Sequence, residues 1–260
     1  MKGKNGLKLV GIVIALVVVV ALLFLGLKAI SNKKGKEITG DAKEKVETVA
    51  VEYIANLTTG TGTIYNGTDV LFSKAEAQTY KDLDKVYVLN ASYSYAINNG
   101  KASVDSALYD YVKRTYHYTD CDIVSGEEIR NGVKALFGED FKNTNAELYG
   151  FTYKFIYDEN NDIYIILSET VGVSNPNYSV YTKVVSAVEK DKKVEVDLVV
   201  AYVYKADNTY SFTKDVNLKE AVFTSAKYEM DDAKVDSFDH YTITLNKDGD
   251  NYTFESIQKK

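Results

Sequence analysis

The chain has one cysteine (Cys121), one proline, no tryptophan and only two histidines in 260 residues. A single cysteine can form no intrachain disulfide, whereas a eukaryotic secreted domain of this size more often carries bridges. With one proline and no low-complexity tract, disorder is expected only in a short linker. His117 and His240 stand alone, and no C-x-x-C or H-x-x-x-H spacing is present, so no zinc signature exists. There is also no G-x-S-x-G, no Walker loop and no G-x-G-x-x-G, which leaves no hydrolase or nucleotide motif.

Acid is missing from the first 36 residues. They carry seven lysines (Lys2, Lys4, Lys8, Lys28, Lys33, Lys34, Lys36), so a whole-chain charge of −6 leaves −13 for residues 37–260. A body that acidic repels phosphate backbones, which argues against a nucleic-acid partner, and it gains nothing by lying flat on anionic lipid.

What the N-terminal part does have is an apolar run. LVGIVIALVVVVALLFLGL, Leu9 to Leu27, is nineteen residues without charge. As a helix it is roughly 28 Å long, close to a hydrocarbon core of about 30 Å. In lipid the helix satisfies every backbone group, which outweighs the poor helix propensity of its valines. The run is longer than a signal-peptide core, no A-x-A site follows it, and no cysteine near residue 30 could take a lipid. An uncleaved signal anchor over residues 9–30 is expected, after a short cytoplasmic tail at 1–8. Lysines flank both sides almost equally. The short N-terminal tail and long acidic remainder favour the N-terminus inside and the domain outside the plasma membrane. Gly11 and Gly26 make no G-x-x-x-G face.

Residues 31–42 read as a polar linker and 43–260 as the extracytoplasmic domain, helical over 43–140 and sheet over 148–260. Apolar stripes at helical spacing run through Val46, Val49, Ala50, Tyr53 and Ile54, then through Val86, Leu89, Tyr93, Ala96 and Ile97. Two more follow at Val104, Leu108, Tyr111 and Val112, and at Ile129, Val133, Leu136 and Phe137. Asn98-Asn99-Gly100 ends the second. Ser125 and Glu128 form a capping box for the fourth, and Gly138 stops it. Residues 57–81, rich in Thr and Gly, read as loop or short hairpin.

Beyond residue 147 the period falls to two. Val194, Val196, Leu198, Val200, Tyr202 and Tyr204 alternate with Glu195, Asp197, Val199, Ala201 and Val203, and the Glu195–Asp197 end of that second face should meet water. Tyr241, Ile243 and Leu245 alternate with Thr242 and Thr244, and strands are also expected near 149–157, 162–170, 179–189, 209–213 and 219–229. Short polar turns at 158–162, 189–193, 206–209 and 247–250 can join only antiparallel neighbours. The expected fold class is α+β: helices on one face of an antiparallel meander of six to eight strands, the other face wet or lining a pocket.

A capped helix feeding a curved antiparallel sheet, closed by HYTITLNKDGDNYTFESI (240–257), resembles the nuclear transport factor and cystatin-like folds over residues 104–260. The whole chain is similar to uncharacterised single-span envelope proteins of low-GC bacteria. These resemblances imply an architecture and a location, and no activity.

Few residues carry chemistry. His117 and Cys121 could form a Cys–His pair, yet they sit where the third helix should end, and the plain reading is a surface imidazole and a half-buried thiol. Asp158, Asn160, Asp162 and Glu169 have EF-hand-like spacing, but position 6 is Ile163 rather than glycine, and a strand follows where a helix should. A polar hairpin turn explains the same residues. Asp231-Asp232, and Asp248 and Asp250 around Gly249, are turn or surface acids first. Five Asn-x-Ser/Thr triplets (Asn56, Asn66, Asn90, Asn177, Asn251) are what an Asn- and Thr-rich chain contains by chance.

Twelve tyrosines (149, 153, 157, 164, 178, 181, 202, 204, 210, 228, 241 and 252) lie on or beside expected strands. Packing accounts for them, or an aromatic surface that stacks on glycans or takes a partner protein. No catalytic, cofactor-binding or metal-binding residue is assigned, and no cofactor is expected. The expected function is a membrane-anchored, non-enzymatic binding or scaffolding module of the bacterial cell envelope, with envelope proteins or cell-wall glycans as partners. The alternatives are a hydrolase or isomerase with a pocket in the concave face of the sheet, and a sensor or assembly subunit of a membrane complex.

Overall fold

A computed structural model describes residues 35–57, 61–62, 76–102, 104–147, 153–168, 178–214 and 218–260. The expected anchor at 9–30 lies outside the described residues. Among those described, no helix is long and apolar enough to cross a membrane.

The four expected helices are present: α1 (Asp41–Leu57), α2 (Lys85–Asn98), α3 (Ser106–Tyr116) and α4 (Gly126–Phe137). Their ends follow local chemistry. Asp84, Asp105 and Ser125 cap α2, α3 and α4 by accepting backbone N–H groups, Ser125 Oγ from Glu128 at 3.1 Å. Gly138 takes a left-handed φ of 70° and stops α4. The linker is shorter than expected. β1 (Lys36–Glu37) already pairs with the main sheet, and α1 begins at Asp41.

The class is α+β with antiparallel pairing throughout, as expected. A single meander is not what forms. Among the described residues nine strands join one sheet and four another. In the main sheet, β8 (Tyr178–Lys190) and β9 (Lys193–Ala206) make a long hairpin. β10 (Thr209–Thr213) and β11 (Ala221–Ser225) continue it, and β12 (His240–Asp248) and β13 (Asn251–Lys259) form a second hairpin. The chain does not run on from β11 to a neighbouring β12. β9 is fourteen residues long, so its two ends serve different partners: Lys193–Val199 pair with β12 and Tyr202–Ala206 with β10. Between them a 3-10 helix, Asp232–Ser237, crosses the outer face. The strand expected over 219–229 stops at Ser225, whose hydroxyl accepts the Lys227 N–H at 3.0 Å and turns the chain. Tight turns sit at the expected places. Asp207 and Asn208 both have positive φ, as a two-residue hairpin of this hand needs.

Of the expected 57–81 loop, β2 (Thr61–Gly62) pairs with β8 and β3 (Gln78–Thr79) with β13, and a 3-10 turn follows at Tyr80–Asp82.

Nothing in the alternating pattern sets the second sheet apart from the first. It runs β4 (Asp122–Ser125), β7 (Ile163–Ser168), β6 (Tyr153–Asp158), β5 (Ala146–Glu147). β7 is apolar on both faces because both are covered. Tyr164 and Ile166 join the central core, while Ile163, Ile165 and Leu167 meet Val112 of α3. Helices α1, α2 and α4 therefore lie between two sheets. Their buried residues share one core with Val194, Val196, Leu198, Ile243, Leu245 and Phe254 of the main sheet. At Gly132 the backbone of α2 comes so close that an added Cβ would lie 2.9 Å from the Ser92 carbonyl oxygen.

Candidate functional site

A cleft lies where the C-terminal halves of three helices meet the β12–β13 hairpin. Its volume is about 660 Å³, within the range of small-ligand sites. Helix α1 contributes Val49, Glu52, Tyr53 and Asn56, spaced to share one face. Ala91, Tyr95 and Asn98 come from α2, Lys134 and Ala135 from α4, and Asp248, Asn251 and Tyr252 from the hairpin.

Tyr53 forms the floor. Its hydroxyl donates to the Leu136 carbonyl and accepts the Phe254 N–H at 3.2 Å. Burial pushes its pKa well up, against the Phe254 N–H that favours the phenolate. This tyrosine is a neutral structural strut. The rim differs. The side chains of Glu52, Asn56, Tyr95, Asn98, Asn251 and Asp248 make no hydrogen bond or ion pair among the described residues. Lys134 is drawn aside to Asp140 at 2.9 Å, and Lys45, beside the mouth, to Asp250 at 3.7 Å.

The residues singled out in the sequence fall elsewhere. His117 ends α3 in the left-handed conformation, exposed. Cys121 is half-buried; burial, then Asp122 and Asp120, push its thiol up, opposite to what a nucleophile needs. The EF-hand-like residues form the β6–β7 hairpin turn. Asp158 accepts Asn160 N–H at 2.9 Å and Asn161 Nδ2 at 3.0 Å, and Asp162 takes the Arg130 guanidinium through two bonds of 2.8 Å. Burial raises the Asp158 carboxyl, but bonds from Asn161, Tyr111 and the turn backbone prevail and hold it low. Glu169 lies outside the described residues. Among those described, no three His, Cys, Asp or Glu side chains gather closely enough to hold a metal together. Asp231 caps the 3-10 helix, and Lys183 pairs with Asp232 and holds its carboxyl low. His240 faces Asp197 at 3.3 Å on the outer face of the sheet.

Most of the described strand tyrosines pack. Tyr164, Tyr178, Tyr202 and Tyr241 are buried. Burial pushes the Tyr164 hydroxyl up to about 12. Tyr149 and Tyr153 offer no described side chain. Tyr181, Tyr210 and Tyr228 form an outer cluster with Phe212 and Phe223, with Tyr228 44% exposed. This cluster borders a smaller groove of about 380 Å³ along Lys183 and Phe223–Ser225.

The cleft's rim carries no signature in the sequence. Glu52 and Tyr95 sit one position beside apolar stripes and Asn56 just beyond one, where polar residues ordinarily face water. Only the convergence of three helix ends makes them neighbours.

Fold and cleft together define an α+β domain with a helix layer between two antiparallel sheets and a polar cleft at the helix ends. No protein-family model matches the chain, and neither a curated protein nor a solved structure matches it.

Proposed function

We propose that this chain is a recognition module of the cell envelope, held on an N-terminal membrane anchor at residues 9–30 and binding its partner in the helix-end cleft. The observation that carries the reading is the rim: the side chains of Glu52, Asn56, Asn98 and Asn251 present hydrogen-bonding groups to an open cavity with no partner among the described residues. The order of elements that resembles the nuclear transport factor and cystatin-like folds is in keeping with a cleft carried on a helix-covered sheet. Tethering also has a geometry. Lys36 and Glu37 pair with Glu189 and Val188, beside the β8–β9 turn. The four residues 31–34 reach at most about 14 Å. An anchor ending at residue 30 would then hold the module by the end of the main sheet that carries that turn.

Two experiments test this. A cysteine placed after Lys260 in a Cys121→Ser chain is labelled by an impermeant maleimide on intact cells if the domain is outside; labelling only after lysis inverts the anchor and removes the envelope reading. A photo-crosslinking residue at exposed Ala135, on the cleft wall, captures a species in intact cells that the same residue at exposed Tyr109 does not. Identical patterns from both positions remove the cleft.

A further inference from the structure

We infer that the cleft accepts an organic cation: the ammonium group of a polyamine or of a lysine side chain on a partner polypeptide. This rests on the recognition reading of the same cleft and adds the ligand's chemistry.

The argument begins with the three helices. Each ends at the cleft with its carbonyl pole, equivalent to about half a negative charge. Proteins commonly offset such poles with Lys or Arg in the last turn. Here α1 and α2 have no basic residue there, and the Lys134 of α4 is turned to Asp140. The terminal carbonyls are capped instead by neutral donors. Tyr53 Oη donates to Leu136 O, Asn90 Nδ2 to Asn56 O at 3.3 Å, and Asn99 Nδ2 to Tyr95 O at 2.8 Å. Neutral donors satisfy the hydrogen bonds but leave the poles' charge in place.

Two carboxylates add to that charge. Glu52 and Asp248 line the cleft without a cationic partner among the described residues, in a protein where other acids do find lysines (Glu189, Glu195, Glu255). Tyr95 and Tyr252 also line it. The Tyr252 ring already has the Lys45 ammonium 6.0 Å from its centroid, so a cation is tolerated at that mouth. Helix poles, unpaired carboxylates and aromatic rings all favour positive charge, and the neighbouring amides of Asn56, Asn98 and Asn251 can accept N–H donors.

The test uses the full chain in detergent micelles at low salt and an isosteric pair of probes, 1,5-diaminopentane and pentane-1,5-diol, with chitotriose as a glycan probe. The diamine should bind and the diol should not. Glu52→Gln and Asp248→Asn, both exposed changes that leave the fold intact by circular dichroism, should each weaken the diamine about fivefold. Raising ionic strength to about 0.3 M should weaken it further. An acetyl-Gly-Lys-Gly-amide peptide distinguishes the sources. Tighter binding than the diamine points to a partner polypeptide, and weaker binding to a free polyamine. Diol or chitotriose binding as tight as the diamine overturns the cation and leaves the recognition reading standing. Failure of every probe overturns the cation, and with an Ala135 crosslink absent it removes the recognition reading too.

Discussion

The two faces of β9 began as the same alternating pattern and have opposite fates. On its inner face Val194, Val196, Leu198, Val200 and Tyr202 are buried in succession against the helix layer. Its outer face is divided. Val199, Ala201 and Val203 form a separate dry cluster with Phe212, Met230, Val235 and Phe238, while Glu195 and Asp197 carry ion pairs at the surface. The inner face answers to a whole layer, and the outer face only to whatever the chain later folds over it. A strand apolar on both faces therefore marks a local cover, not a deeper core.

That contrast predicts a difference in kind between mutations a few residues apart. Leu198→Ala empties the inner core and should cost about 3 kcal/mol, seen as a lower urea midpoint with an unchanged slope. Val203→Ala, on the outer cluster, should cost about 2 kcal/mol and first release the amides of 209–213 and 221–225 in hydrogen exchange. If Val203→Ala instead loosened α1 and α2 to the same degree, the two faces would form one cooperative unit and the contrast would fail.

The next test concerns the helix layer itself. Gly132→Ala would ordinarily gain about 1 kcal/mol of helix propensity. Here the new Cβ would stand 2.9 Å from Ser92 O and 3.0 Å from Ser92 Cα, backbone that cannot yield without moving a helix. A net loss of about 1–2 kcal/mol is expected, with altered chemical shifts at Ala91 and Ala135 on the cleft walls. Unchanged stability would mean that α2 and α4 can part freely, and that the cleft has no fixed width.

At the far side of the helix layer, the Arg130–Asp162 fork ties α4 to the second sheet, joined by Tyr157 Oη at 2.8 Å. Arg130 holds the Asp162 carboxyl below its ordinary value of 3.8. A depressed carboxyl stabilises the fold fully above that ordinary value and loses its contribution as pH falls through the folded one. Asp162→Asn should cost about 1 kcal/mol at neutral pH, a figure kept small because the carboxylate is 43% exposed. Its deficit against the parent should shrink as pH falls below about 4. A deficit independent of pH would assign the loss to packing.

Much of this was legible beforehand, for identifiable reasons. Helix existence and caps are local, so Ser125 and Gly138 announced their roles. The hairpin turns at 189–193, 206–209 and 247–250 were equally local. Sheet membership is not. Nothing in DIVS (122–125) says that it pairs with Ile163–Ile166 rather than with the main sheet, and the division of β9 between β10 and β12 depends on a partner some forty residues later. The cleft was hidden for the same reason. Asn56, Asn98 and Asp248 each look like an ordinary element end, and only tertiary convergence joins them.

The smallest expected effect lies on the open half of the outer face. Lys190 and Glu195 meet at 2.6 Å across the β8–β9 turn, with side chains 37% and 41% exposed. A pair in that much water gains little Coulomb energy, and fixing two long side chains costs comparable entropy. Lys190→Met should therefore change stability by less than about 0.5 kcal/mol. The change should disappear in about 1 M salt, where screening reduces the remaining attraction. The value of this near-silent substitution is its neighbour. Val188 stands beside it on β8, and Glu37 of β1 pairs there. If Lys190→Met released the amides of Lys36 and Glu37 to exchange while global stability held, the open half would be holding the chain's entry into the sheet rather than stabilising the sheet. The outer face would then divide by task as well as by burial: one half packed under its own strands, the other fastening β1.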